Sequence, residues 1–294
     1  MMRISPVGAE TLLSVLGAGS MEAAARDLHI SPSAVSQRLR ALEEEVGRVL
    51  LVRSKPLQPT PAAAPLVRYA RQLRLLEQGV ARELGDDPAR LRIPLAVNAD
   101  SLATWFLAPL ARLAERHRAV FDLHRDDQDF TARLLEEGTV MAAVTSRAEP
   151  IAGCRVRALG VLRYEAVATP RFVATHFPDG VTADALAHAP VIDFDARDDL
   201  QTRWLLASGA DPAVPPRHRI PASHDFASAT LRGMGWSLLP TLQTAGLAEG
   251  ALLPLGGSAI DVPLFWQQWS LRSALLDAVA DEVVAEARRV LIAP

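Results

Sequence analysis

The sequence predicts an α/β protein with an all-helical N-terminal unit, and two observations predict it. Up to about residue 85 the apolar residues recur at helical spacing between cap and turn residues; from Leu91 onward short aliphatic runs alternate with helical ones. With 294 residues, 49% hydrophobic and 22% charged, the chain can form two or three compact units and is not of disordered composition.

Val7 to Gly17 predicts a first helix with Leu12, Leu13, Val15 and Leu16 as its apolar side. Ser20 to Ile30 predicts a second, rich in small residues that allow close packing. Ser31 then stands where an N-cap belongs and Pro32 where a first helical residue belongs. The third helix runs from Pro32 to about Val46, with Ala34, Val35, Leu39, Leu42 and Val46 inward and Ser33, Ser36, Gln37 and Arg40 outward. A short helix, a tight turn and a second helix with hydrogen-bonding residues at its N-terminal end is the pattern of a DNA-reading helix-turn-helix, and Leu50 to Leu57 reads as a wing carrying Arg53 and Lys55. Gln can bond adenine bidentately, and Arg can bond guanine or phosphate. The predicted DNA contacts are therefore Ser31, Pro32, Ser33, Ser36, Gln37, Arg40, Arg53 and Lys55.

Thr60 to Gly85 predicts a long helix in which Leu66, Tyr69, Leu73, Leu76 and Val80 recur at alternating spacings of three and four, a heptad seam suited to pairing with a second copy. Packing on its own domain is the alternative. Gly85-Asp86-Asp87-Pro88 ends this helix, which divides the chain into a winged helix-turn-helix (1–58), a linker helix (59–88) and a C-terminal region (89–294).

In that region the pattern predicts strands at Leu91 to Val97, Val120 to Arg125, Thr139 to Thr145, Val156 to Thr169, Val191 to Phe194 and Trp236 to Leu239. Helices are predicted at Asp100 to Arg116, Phe130 to Glu137, Leu200 to Ser208, Asp225 to Arg232 and Leu271 to Ile292. Alternation of this kind implies a mostly parallel sheet in two α/β lobes, with ligands beyond the carboxyl ends of strands and between lobes.

The string Ala23-Ala24, Leu28-His29-Ile30-Ser31, Ser33-Ala34-Val35-Ser36, Leu39, Leu42-Glu43, Gly47 and Leu50-Leu51-Val52-Arg53 resembles the N-terminal signature of LysR-type transcriptional regulators. Leu107-Ala108-Pro109 and Gly233 to Pro240 resemble landmarks of that family's periplasmic-binding-protein-like effector domain, so the resemblance covers nearly the whole chain. The wing departs from the family pattern at Pro59-Thr60-Pro61-Ala62-Ala63. Val97 to Phe106, Ala143-Val144-Thr145-Ser146, Gly153-Cys154, Phe194-Asp195 and Asp199-Leu200-Gln201 resemble the LysG/ArgP branch, the regulators of basic amino acid export. The resemblance implies operator DNA, a lysine or arginine effector, RNA polymerase and further copies of the chain, as homodimer or homotetramer, as partners.

Candidate effector residues follow from strand ends and helix starts. Asn98, Asp100, Ser101, Thr104, Trp105, Thr145 and Ser146 are candidates, with Ser101, Thr104 and Thr145 around the carboxylate and amine of an amino acid and Asp193, Asp195 or Asp225 near its cationic end. Asp100 and Ser101 can equally be helix caps, as can Asp195, Asp198 and Asp199; Trp105 can be core, and Asp126, Asp127 and Asp129 read as a solvated loop.

Residues 1–90 hold 12 Lys+Arg against 10 Asp+Glu, net +2, and residues 91–294 hold 19 against 24, net −5. So small an asymmetry establishes no nucleic-acid binding by itself; the motif carries that argument. Cys154 is the only cysteine, which excludes an intramolecular disulfide and reads as a buried structural thiol. No apolar leader or membrane-length run is present, which predicts a cytoplasmic protein with no membrane partner. The seven His are scattered, and Gly-x-Ser-x-Gly, His-Glu-x-x-His, phosphate-loop and Gly-x-Gly-x-x-Gly patterns are absent, which predicts neither enzyme, metal nor cofactor. The alternatives are an architectural DNA-binding protein and a LysR-type regulator of another metabolite pathway.

Overall fold

The computed structural model describes residues 4–52, 54–84, 92–117, 119–125, 133–271 and 273–293. Arg53, the turn at Gly85 to Pro88, Leu91, Asp126, Asp127, Asp129 and Phe130 lie outside the described residues.

Helix α1 (Pro6–Ala18) starts on Ser5, whose hydroxyl accepts from the Gly8 amide, and α2 (Met21–Asp27) on Ser20 in the same way. His29 takes a left-handed φ of 53° in the turn, and α3 (Pro32–Val46) follows with the Ser31 hydroxyl accepting from the Ala34 amide at 3.2 Å. These caps satisfy amides that a helix start leaves without partners. One core of Leu12, Val15, Ala24, Val35, Leu39, Leu42 and Leu50 unites the three helices. Gly8 lets α1 approach α3: a Cβ there would lie 3.2 Å from Leu42. The wing is a two-stranded antiparallel ribbon, β1 (Leu51–Val52) with β2 (Gln58–Pro59), tied to α3 by the Glu43 carboxylate accepting from the Leu50 amide at 2.8 Å.

After a 3-10 turn at Pro61–Ala63, α4 (Ala64–Glu83) begins a few residues later than Thr60. Its first half belongs to the N-terminal core through Leu66, Val67 and Ala70, while Leu75 is buried in the core of the C-terminal region. The Arg71 guanidinium donates to the carbonyls of Gly138 and Thr139, and burial lowers its pKa to about 10.

The C-terminal region is built on a seven-stranded sheet. Strand β3 (Arg92–Val97) pairs in parallel with β4 (Val120–Arg125) and β5 (Ala142–Thr145), as alternating strands and helices predict. The rest of the sheet is antiparallel, a correction to the mostly parallel expectation. Its cause is β11 (Ile260–Trp269), which pairs antiparallel with both β5 and the long β6 (Cys154–Ala168). Strand β6 pairs in turn with β9 (Ser237–Pro240) and β10 (Leu253–Pro254), and β7 (Val191–Asp193) with β8 (Arg217–Arg219) makes a separate parallel pair. Thus β6 and β11 run from one α/β lobe, built on β3 to β5, into the other, built on β7 to β10. The fold is α/β with two lobes behind an all-α winged helix-turn-helix.

The helix expected from Asp100 to Arg116 is two helices, α5 (Ala99–Thr104) and α6 (Leu107–His117). Pro109 cannot donate, and in a continuous helix its ring would clash with the Trp105 carbonyl, so the chain breaks there and buries Trp105 and Phe106. The closing helix, Ala274–Val290, packs on α6, where Arg112 bridges Glu282 at 3.1 Å and Glu286 at 2.9 Å. Trp236, Trp266, Trp269 and Phe106 are the largest fully buried side chains of the core that the lobes share. Cys154 is half-buried at the start of β6, and burial raises its thiol to about 11, which suits a structural and not a reactive role. Among the described residues no helix is long and apolar enough to cross a membrane.

Candidate functional site

Two surfaces carry the sequence-predicted residues. On α3, Val35, Leu39 and Leu42 face the core, which turns Pro32, Ser33, Gln37 and Arg40 outward; Ser31 is exposed beside them and Ser36 half-buried. The Ser31 hydroxyl is engaged twice, with the Ala34 amide and with the Ser33 hydroxyl at 2.9 Å, so it sets the geometry of the helix start. Lys55 is exposed in the wing. An exposed amide and guanidinium near the N-terminal end of a helix, with a basic wing in the same domain, suit base edges and phosphates respectively.

The second surface is a cavity of about 460 Å³ between the lobes. Asn98, Asp100 and Ser146 line it from the first lobe, Tyr164 and Asp261 from the long strands, and Phe194, Asp195, Asp198, Gln201 and Arg203 from the second. Asp100 accepts the Tyr164 hydroxyl at 2.7 Å and the Ser223 hydroxyl on its other oxygen, so one carboxylate of α5 is bonded to a long strand and to the second-lobe helix Ser223–Leu231. Burial pushes the Asp100 carboxyl up, and the two hydroxyls offset part of that rise. Tyr164 is pushed well up, first by burial and then by the Asp100 charge. Asp198 is raised by burial, against the amides of Phe194 and Leu200 that it accepts from, and the charges of Asp193 and Asp100 raise it further. The cavity lining therefore holds two carboxyl groups, one from each lobe, whose ionisation is opposed by burial and, at Asp198, by the other's charge.

Of the ten effector residues expected from sequence, Asn98, Asp100, Ser146 and Asp195 line this cavity, and the other six do not. Ser101 is fully buried. The Thr104 hydroxyl donates to the Asp100 carbonyl at 2.6 Å, and Thr145 is buried with its hydroxyl accepting from the Arg147 amide. Trp105 packs edge-on against Phe106 with ring centres 5.6 Å apart, a core position and not a lid. Asp193 is buried in an ion pair, with both its oxygens 2.8 Å from Arg217. Asp225 is exposed on the first turn of its helix. Asp195 caps its own loop: burial works against its charge, but the Arg197 amide and guanidinium bring its pKa below the ordinary value. Sequence reading missed Tyr164, Gln201 and Arg203 as wall residues and took Asp198 for a cap, which it also is. Among the described residues no group of three His, Cys, Asp or Glu could hold a metal ion.

The family model of the bacterial regulatory helix-turn-helix protein, lysR family, matches residues 9–64, and that of the LysR substrate binding domain matches residues 86–288. The chain belongs to the LysR family. The LysR chain is 41% identical over 288 residues to the lysine export transcriptional regulatory protein LysG of Corynebacterium efficiens, covering 97% of this chain and 98% of that protein. It is similar to the crystal structure of ArgP from Mycobacterium tuberculosis, with TM-score 0.89 and 41% identity over 99% of this chain and 100% of that one. Full-length LysG from Corynebacterium glutamicum with bound effector Arg matches with TM-score 0.79 and 39% identity, covering 98% and 100% of the two chains. The protein is a DNA-binding transcriptional regulator of the LysR type.

Proposed function

We propose that the protein is a cytoplasmic regulator of basic amino acid export that senses lysine or arginine in the cavity between its lobes. One observation carries the ligand class: Asp100 from the first lobe and Asp198 from the second line one cavity with ionisation opposed by burial, and a bound cation relieves both. The likeness to a LysG structure holding arginine supports it. In this reading residues 1–58 bind the operator, 59–88 pair two copies, 89–294 sense the effector, and the working form is a homodimer or homotetramer that contacts RNA polymerase.

A thermal-shift panel of the common amino acids tests the ligand class. A ligand at 100 times its dissociation constant adds about 2.7 kcal/mol to the folded state, so lysine or arginine should raise the Tm while leucine and glutamate do not. If another metabolite raises it instead, the protein regulates a different pathway. If none does and none alters DNA binding, it is an architectural DNA-binding protein.

For DNA, Gln37 and Arg40 are assigned to base edges, Arg53 and Lys55 to phosphates, and Ser31, Pro32, Ser33 and Ser36 to the groove-facing start of α3. Gln37→Ala should cost about 1–3 kcal/mol at a specific operator and blunt discrimination, whereas Lys55→Ala should weaken all DNA and flatten the salt slope by about one unit. Fluorescence anisotropy on operator and random duplexes separates the two. Equal losses on both duplexes for Gln37→Ala would remove it from base reading.

A further inference from the structure

Gln201 is 1% exposed, in the first turn of the helix Leu200–Ala207, and belongs to the cavity wall. Its Nε2 donates to the Ile192 carbonyl at 3.0 Å, which fixes the amide, and its Oε1 is buried with no hydrogen-bond partner among the described residues. On the opposite lobe Asn98, 8% exposed, lines the same cavity. It stands at the N-cap of α5 but makes no capping bond, and its Oδ1 is likewise buried and unpartnered. Buried acceptors are normally paired, and two that are not, on residues that line one cavity from different lobes, indicate donors that arrive with a ligand. A guanidinium or ammonium brings only donors.

We infer that Gln201 Oε1 and Asn98 Oδ1 each accept a hydrogen bond from an N–H group of the bound ligand, so that one donor-rich ligand ties the second lobe to the first, with Gln201 as a specificity-determining residue. This rests on the reading of the cavity as a basic amino acid site. The two amides select for donors where the carboxylates select for charge. A ligand that offers oxygen to either amide leaves two acceptors facing each other and is rejected.

Calorimetric titration with arginine and with lysine, paired with the Tm of the ligand-free protein, tests the inference. Gln201→Met removes the acceptor at nearly constant volume; Gln201→Glu keeps an acceptor oxygen and adds charge. Both lose the bond to Ile192 and should lower the ligand-free Tm. A hydrogen bond to a charged group corresponds to about a ten- to hundredfold change in affinity, so Gln201→Met should weaken both ligands by that factor while Gln201→Glu binds them at least as tightly as wild type. Asn98→Ala should weaken both ligands about tenfold and leave the ligand-free Tm in place. Wild-type affinity in Gln201→Met or in Asn98→Ala, with the wild type binding normally, overturns the inference and leaves the ligand class standing. Parallel losses in Gln201→Met and Gln201→Glu make Gln201 structural and also overturn it. If the wild type binds neither amino acid, the proposed ligand class fails and the inference falls with it.

Discussion

Asp100→Asn should make the ligand-free protein more stable and remove most of its response to arginine or lysine. Asp100 is bonded to Tyr164 and Ser223, and burial raises its pKa above the ordinary carboxylate value. A carboxyl raised on folding binds more protons in the folded than in the unfolded state, so stability falls as pH climbs from the ordinary carboxylate range through the folded value. Asparagine keeps the shape, still accepts a hydroxyl and has no charge to desolvate. The wild type and Asp100→Asn should therefore have similar Tm at pH near 3 and diverge in favour of the variant as pH rises, a difference that levels off once the wild-type group is ionised. Ligand affinity should move the opposite way. A charge-assisted hydrogen bond to the cation is lost, which corresponds to about a ten- to hundredfold weakening for basic amino acids and much less for neutral ones. Tm against pH for both proteins, with calorimetry at pH 7, decides it. A variant less stable than wild type at pH 7 that still binds arginine normally would mean that Asp100 holds the lobes together and takes no part in ligand recognition.

The N-terminal unit was legible because its determinants are local. Ser31-Pro32 starts α3, Gly47 ends it in a left-handed conformation, and the apolar spacing between them gives the buried face directly. Strand β11 was not legible. Pro263 interrupts its pattern, and from Trp266 to Trp269 all its side chains are buried, so the alternation that marks a half-buried strand is missing. The register that makes the sheet antiparallel depends on this segment. The break between α5 and α6 was legible in principle from Pro109. In the cavity, sequence reading found the strand-to-helix corner at Asn98 to Ser101, but left Asp193, Asp195 and Asp225 open for the cationic end and took Asp198 only for a cap. That choice turns on Arg217, more than twenty residues downstream of Asp193, which takes up Asp193, and on the amides that orient Asp195 and Asp198. Tyr164 lies inside a long strand, where nothing local distinguishes a cavity-facing side chain from a core one.

Leu76→Asp should convert the protein to a monomer without loss of fold. The seam Leu66, Tyr69, Leu73, Leu76 and Val80 divides along α4. Leu66 is buried in the chain's own N-terminal core and Leu73 is half-buried, whereas Leu76, Val80 and Leu84 are 45%, 56% and 81% exposed. Arg71 and Leu75 hold the neighbouring side of α4 to the C-terminal region, so the helix is fixed in place with its apolar C-terminal half uncovered among the described residues. A second copy of the same helix, set antiparallel or parallel along the seam, covers that face with matching residues, as a heptad requires. Substituting Asp at Leu76 puts a carboxylate from each copy into the apolar contact, a penalty of several kcal/mol that the separated chains avoid by leaving it in water. Light scattering should then give the monomer mass at low micromolar concentration, with the ligand-free Tm of the monomer retained. DNA binding to a two-half-site operator should fall with it, because one winged helix reads only one half-site. Leu75→Asp is the contrast: Leu75 is 4% exposed in the C-terminal core, so the same carboxylate there should lower the Tm sharply. If Leu76→Asp leaves the mass of the wild-type assembly unchanged, the copies pair elsewhere and the exposed half of α4 is not their contact.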